Sequence, residues 1–132
     1  MVYGEAILIT LVEVLEVHGT LDNQLGKALL PAVETLTTQS QAEVLLLDLS
    51  KVKFIDSAGL GGLVKVLKLT EAKGKRLMLC GVQSQVMMLL KLTRMESLFE
   101  IFDDRITVAT VLNQKLSSDR QVTPDKFKVT VL

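Results

Sequence analysis

The chain has 132 residues, enough for one domain with a single buried core. Apolar residues make up 48% and the mean hydropathy is positive, which excludes a disordered chain. Fifteen basic residues offset fifteen acidic ones, so composition predicts no attraction to nucleic acid or to an anionic membrane.

With no Trp, one Tyr and four Phe, the core must be built from Leu, Val, Ile and Met. No apolar run approaches the 18 or so residues of a membrane span. The N-terminus lacks a basic region followed by an apolar stretch, so a cytoplasmic protein is expected. Cys80 is the lone cysteine, which rules out an intramolecular disulfide. Its setting, "RLMLCGV", predicts a buried structural thiol. Charge is uneven: residues 1–63 hold eight acids and three bases, residues 64–94 seven bases and one acid. Solvated faces of different elements account for that pattern.

Residues 5–18, "EAILITLVEVLEVH", are rich in β-branched and aliphatic residues and read as strand, with a bend somewhere inside a run this long. Gly19 is expected to break it, and Asp22 or Asn23 to cap the next element. Apolar residues at 25, 29, 33 and 36 then predict a helix. Pro31 implies either that this helix starts near residue 28 or that it is kinked. "AEVLLLDLS", 42–50, hardly alternates and suits a strand covered on both faces. A helix is expected over 57–73 with Gly74 as its stop. A strand follows at 75–82, a helix at 84–93 and a short strand at 98–102. Residues 105–112 fit either a helix capped by Asp103 or Asp104 or a strand. Strands alternating with helices predict an α/β domain with a mixed, largely parallel sheet. Residues 113–125 read as a linker. In "KFKVTVL", 126–132, Phe127, Val129 and Val131 point one way, as in an extra strand at a sheet edge of its own chain or a neighbour's.

The densest information lies in "KFIDSAGLGGLVKVL", 53–67. Ser57 fits the N-cap of the helix, where its oxygen would accept a bond from a first-turn amide. At about 100° per residue, Leu60, Leu63, Val64 and Leu67 form a core face, and Ser57, Gly61, Lys65, Lys68 and Ala72 an outward stripe. Gly59, Gly61 and Gly62 weaken a helix, so some neighbour or partner must approach its backbone closely. A hydroxyl on an exposed helix N-terminus is also suited to carry a phosphate. The added charge would disrupt a close-fitting interface.

"VHGTLD" at 17–22, "LLDLSKVKFIDSAGLG" at 46–61, "KGKRLMLCGV" at 73–82 and "LLKLTRMESLFEIF" at 89–102 together resemble the STAS domain family, most closely the bacterial anti-sigma factor antagonists. The resemblance spans about residues 12–112. It implies a STAS domain at 1–112 with an extension at 113–132. It also implies a partner-switching protein in which Ser57, the serine of the family's D-S-x-G-L motif, is phosphorylated by an anti-sigma factor that is also a serine kinase. A metal-dependent serine phosphatase would reset it. Asp22 and Asp56 would flank the phosphosite, and Asn23, Gly61, Lys65 and Lys68 would complete the partner surface. No cofactor or bound metal is implied, and a monomer or weak homodimer is expected. The chain departs from the family pattern in four places: no tight turn is visible before the strand that ends in G-x-L-D, Gln83 stands where a capping Ser is common, with Ser84 available one residue later, Arg94 stands where Gly often ends a helix, and the strand at 126–132 is extra.

Two other functions compete with the switch. One is a non-switching STAS scaffold or regulatory subunit of a transport or signalling complex. The other is an enzyme, which the residues disfavour: His18 has no nucleophile partner in view, and there is no phosphate loop, dinucleotide motif or metal-ligand cluster.

Overall fold

A computed structural model describes residues 12–114, 116 and 121–132. The expected strand residues 5–11 lie outside the described residues. Strand β1 runs Val12–Leu21, helix α1 Asn23–Gln39, β2 Val44–Ile55, α2 Ser57–Ala72, β3 Arg76–Cys80 and α3 Ser84–Leu92. Then come β4 at Glu100–Phe102, α4 at Arg105–Asn113 and β5 at Lys128–Val131. The five strands lie in the order β4-β3-β2-β1-β5, and every pair is parallel.

The handedness rule accounts for this layout. Each step β1→β2→β3→β4 moves one place in the same direction, so right-handed crossovers put α1, α2 and α3 on one face. Their side chains meet Leu15, Leu47, Leu49 and Leu79 in the larger core. The return from β4 to β5 travels the opposite way, so the same rule sends it across the other face. There Val108, Ala109 and Leu112 of α4, with Phe127, cover Val12, Val14, Leu46 and Met78. β2 is therefore buried on both sides from Val44 to Leu49, as its unbroken apolar run requires.

Local chemistry sets the boundaries, and it corrects several expectations. Gly19 does not break β1. It sits at φ +106° in an irregularity of the β1–β2 register, and the strand continues to Leu21. α1 starts at Asn23 and not near residue 28. Asp22 caps it, its Oδ1 accepting from Leu25 N at 3.0 Å. Pro31 lies inside the helix on its exposed side, so the Lys27 carbonyl it leaves without an amide faces water. Residues 105–113 are a helix, capped by Asp104 through Thr107 N at 2.7 Å. Ser84 does not cap α3. Gln83 is the N-cap residue, and its side-chain amide donates instead to Ser50 O. β5 pairs with β1 of its own chain, but of its expected inward residues only Phe127 is buried; Val129 and Val131 are exposed.

Two helices end in Schellman geometry. After α2, Lys75 N donates to Thr70 O and Gly74 N to Glu71 O, with Gly74 at φ +72°. After α3, Met95 N donates to Leu90 O and Arg94 N to Lys91 O. Arg94 holds φ +58°, the one positive φ at a non-glycine among the described residues. A side chain in that conformation costs roughly 1 kcal/mol. Arg94 is exposed and loses nothing else, so Arg94→Gly is expected to stabilise the protein by about 0.5–1 kcal/mol, read as a higher urea midpoint at unchanged slope.

A polar chain crosses the α4 face near the middle of β1 and β2. Arg105 Nε donates to Asp48 Oδ2 at 2.7 Å and its Nη2 to Glu16 Oε1 at 3.2 Å, while His18 Nε2 lies 3.2 Å from Glu16 Oε2. Burial pushes the Asp48 carboxyl up, but bonds from Ser50 and Arg105 outweigh it and leave it below its ordinary value. Cys80 is buried beside Asp48, and burial pushes its thiol up to about 12. A neutral, inaccessible thiol is a packing residue, as its setting predicts.

Candidate functional site

Both candidate helices begin at the C-terminal ends of adjacent strands. β1 and β2 remain paired through Leu21 and Ile55, and Asp56 N donates to Leu21 O at 3.2 Å. The two caps, Asp22 and Asp56, therefore follow directly on one strand pair. Each is extended, and each carboxylate accepts the amide three residues on: Leu25 N at 3.0 Å and Gly59 N at 2.8 Å.

This corrects the expected role of Ser57. Asp56 is the N-cap, and Ser57 is the first residue of α2. Asp and Ser are nearly equal as caps, and the helix starts one residue earlier in the motif than a serine cap would require. The consequence is chemical: Asp56 satisfies the first-turn amide, so the Ser57 hydroxyl is exposed and, among the described residues, has no hydrogen-bond partner. Its own amide and that of Ala58 belong to the unpaired first turn.

The helix is also turned relative to the expected wheel. Gly59, Leu60, Gly62, Leu63, Val66 and Thr70 are buried, whereas Val64 and Leu67 are only half-buried. The glycines explain the rotation. A Cβ on Gly59 would lie 1.8 Å from Leu21 O, and one on Gly62 would lie 2.8 Å from Gly26 Cα. α2 is thus pressed backbone-first against the end of β1 and against α1. That rolls Val66 and Thr70 inward, where the Thr70 hydroxyl donates to Val66 O at 2.7 Å. Gly61 differs: a Cβ there would meet nothing within 4 Å. Among the described residues it has no neighbour to explain it.

Ser57, Gly61, Lys65 and Lys68 are all exposed along α2, and Asn23 is exposed at the start of α1. A groove of about 270 Å³ runs between the two helices, lined by Asn23, Gly26, Lys27, Leu30, Ala58, Gly61, Gly62 and Lys65. The structure brings Asn23, Gly61 and Lys65 together there; Ser57, next in the chain to the lining residue Ala58, does not itself line it. Lys68 lies farther along α2 and does not line the groove. Sequence reasoning alone misses Gly26 and Lys27. The available signal for Gly26 is a second glycine four residues after a capping Asp, on the helix packed against Gly62. Phe54, half-exposed at the end of β2, also escapes it, because it interrupts no pattern. Among the described residues there is no group of three or more His, Cys, Asp or Glu that could hold a metal ion, and no helix long and apolar enough to cross a membrane.

The chain is thus a parallel α/β domain with an exposed serine beside the groove between two close-packed helices. The STAS domain model matches residues 6–107, and the chain belongs to that family. It is 27% identical over 99 residues to an anti-sigma F factor antagonist of Paenibacillus polymyxa, covering 75% of this chain and 85% of that protein. Two solved structures share the fold. A sulfate transporter family protein from Wolinella succinogenes aligns with TM-score 0.69 at 20% identity, over 78% of this chain and 85% of its own. The anti-sigma factor antagonist SpoIIAA in its unphosphorylated form aligns with TM-score 0.57 at 17% identity, over 79% and 92%.

Proposed function

We propose that the protein is an anti-sigma factor antagonist working as a partner switch. With Ser57 unmodified it binds an anti-sigma factor that is also a serine kinase. Transfer of the γ-phosphoryl group of ATP to Ser57 Oγ, with loss of ADP and the hydroxyl proton, releases it. A metal-dependent serine phosphatase returns it to the binding form. The protein itself catalyses nothing in this cycle and works in the cytoplasm. The observation that carries this reading is the exposed, unbonded Ser57 hydroxyl beside a cap already supplied by Asp56.

Several features support it. Gly61 is open to contact, and no steric demand among the described residues accounts for it. Lys27 and Lys65 edge the groove and suit a partner with acidic side chains. A phosphate at Ser57 would carry a charge of about −1.5 to −2. Unpaired first-turn amides and the α2 dipole would stabilise it within the free protein. The nearby Asp22 and Asp56 carboxylates add to the negative field that a docked partner would have to bury.

The alternative is a STAS subunit of a transport assembly, favoured by the higher TM-score to the sulfate transporter family protein. Tagged protein purified from its own cells separates the two readings. Recovery of a serine kinase that labels Ser57 with ATP, and not Ser57→Ala, is the expected result. A transporter on the beads, or equal labelling of Ser57→Ala, rules the switch out.

A further inference from the structure

β2 outruns β3. The two strands pair only from Val44 and Arg76 to Asp48 and Cys80, whereas β1 stays with β2 as far as Ile55. Residues 49–55 of β2 therefore have no described strand on the β3 side, although Leu49, Val52 and Ile55 are buried. A buried peptide group without a partner is costly. Side chains at the start of α3 stand in for the missing strand. Gln83 donates to Ser50 O. Gln85 makes a two-point clamp on one residue: its Oε1 accepts from Ile55 N at 2.7 Å, and its Nε2 donates to Ile55 O at 3.1 Å. In a strand the N–H and C=O of one residue point to the same side, so one primary amide supplies what a neighbouring strand would. Ile55 immediately precedes the cap Asp56 and lies two residues before Ser57. Its opposite flank is held where Asp56 N donates to Leu21 O.

We propose that Gln85 is a positioning residue for Ser57. It fixes the Ile55 peptide from α3, and thereby sets the direction in which the Asp56–Ser57 corner leaves the sheet and offers the Ser57 hydroxyl. This rests on the reading of Ser57 as phosphoacceptor, but its geometric half does not need a kinase. Gln85 touches neither Ser57 nor the groove; it acts through Ile55.

Two variants test it. Gln85→Leu is close in size and removes both bonds. Gln85→Glu keeps an acceptor for Ile55 N but, when ionised, faces the Ile55 carbonyl with a second oxygen. When protonated, its carboxylic acid again offers one acceptor and one donor. With the copurified kinase and ATP, Gln85→Leu is expected to lower kcat/KM for Ser57 phosphorylation about tenfold, the scale of a modest misplacement of a reacting group. Gln85→Glu should fall similarly at pH 8. Relative to wild type at the same pH, it should recover as pH drops toward 5.5, a rescue that a mere loss of packing would not give. Amide hydrogen exchange is the kinase-free measurement: Asp56 and Gly59, whose amides donate to Leu21 O and to Asp56 Oδ1, should exchange faster in Gln85→Leu while Leu46 and Leu79 in the sheet centre do not. Faster exchange at Ile55 alone, with phosphorylation unchanged, overturns the proposal. If wild type is not phosphorylated at all, the phosphoacceptor reading fails, and unchanged exchange at Asp56 and Gly59 would still overturn the positioning role.

Discussion

Gly59→Ala is expected to destabilise the protein by about 3 kcal/mol or more, and Gly61→Ala, two residues along the same helix, to stabilise it by up to about 1 kcal/mol. Helix propensity favours Ala over Gly equally at both positions, so the opposite signs come from the surroundings. The added methyl of Gly59→Ala would sit 1.8 Å from the carbonyl oxygen of Leu21. That oxygen is backbone, and it already accepts from Asp56 N, so it cannot swing aside without opening the strand pair that carries both caps. Overpacking against movable side chains typically costs about 1–3 kcal/mol, and a fixed backbone atom lies at or above the top of that range. Against a total stability of about 5–15 kcal/mol the variant should be markedly less populated in cells. Gly62→Ala should fall between the two, because its methyl would meet Gly26 Cα at 2.8 Å and the helices could part slightly. Urea unfolding of the three purified variants measures the series. A Gly59→Ala midpoint within error of wild type would mean that α2 is not seated against Leu21 in this way.

That contrast also marks how far the sequence can be read. The alternation of strands and helices, the double-sided burial of β2 and the stop at Gly74 follow from composition and spacing, because each is decided by residues close in the chain. The three glycines of α2 are legible only as a group. Which of them meets the chain itself and which is left open depends on where Leu21 and Gly26 arrive, contacts made by segments more than thirty residues away. The same long-range contacts move the buried face from Val64 and Leu67 to Val66 and Thr70. Motif and wheel both find Ser57, yet they give it a cap's role that Asp56 performs, since the two residues cap almost equally well and sit side by side. Gln85 carries no signal at all. A glutamine in an amphipathic helix is ordinary until β3 is seen to stop at Cys80 and leave Ile55 without a neighbour.

Ser57→Asp is expected to weaken binding to the cognate anti-sigma factor by about 100-fold, while Ser57→Ala binds within a few-fold of wild type and folds as well. Asp at the first position of a helix is stabilised by the dipole by about 0.3–1 kcal/mol, so the folded state should not suffer. The loss must then arise at the interface. Ser57, Ala58 and Gly61 are small, uncharged and exposed, with Ala58 and Gly61 lining the groove, and a partner packed closely there would strip water from whatever stands at position 57. A carboxylate stripped of water without a cation opposite costs several kcal/mol, of which partial solvation and the Lys65 side of the groove would return some. A net loss near about 2.7 kcal/mol corresponds to the 100-fold expected, since each 1.4 kcal/mol is tenfold. Phosphoserine, with nearly twice the charge and a larger volume, should weaken binding further than Asp. Calorimetric titration of the three proteins with the anti-sigma factor, beside urea unfolding of each, separates interface from fold. Equal affinity of Ser57→Asp and wild type would place Ser57 outside the contact, and the charge of a phosphate there would then have nothing to disrupt.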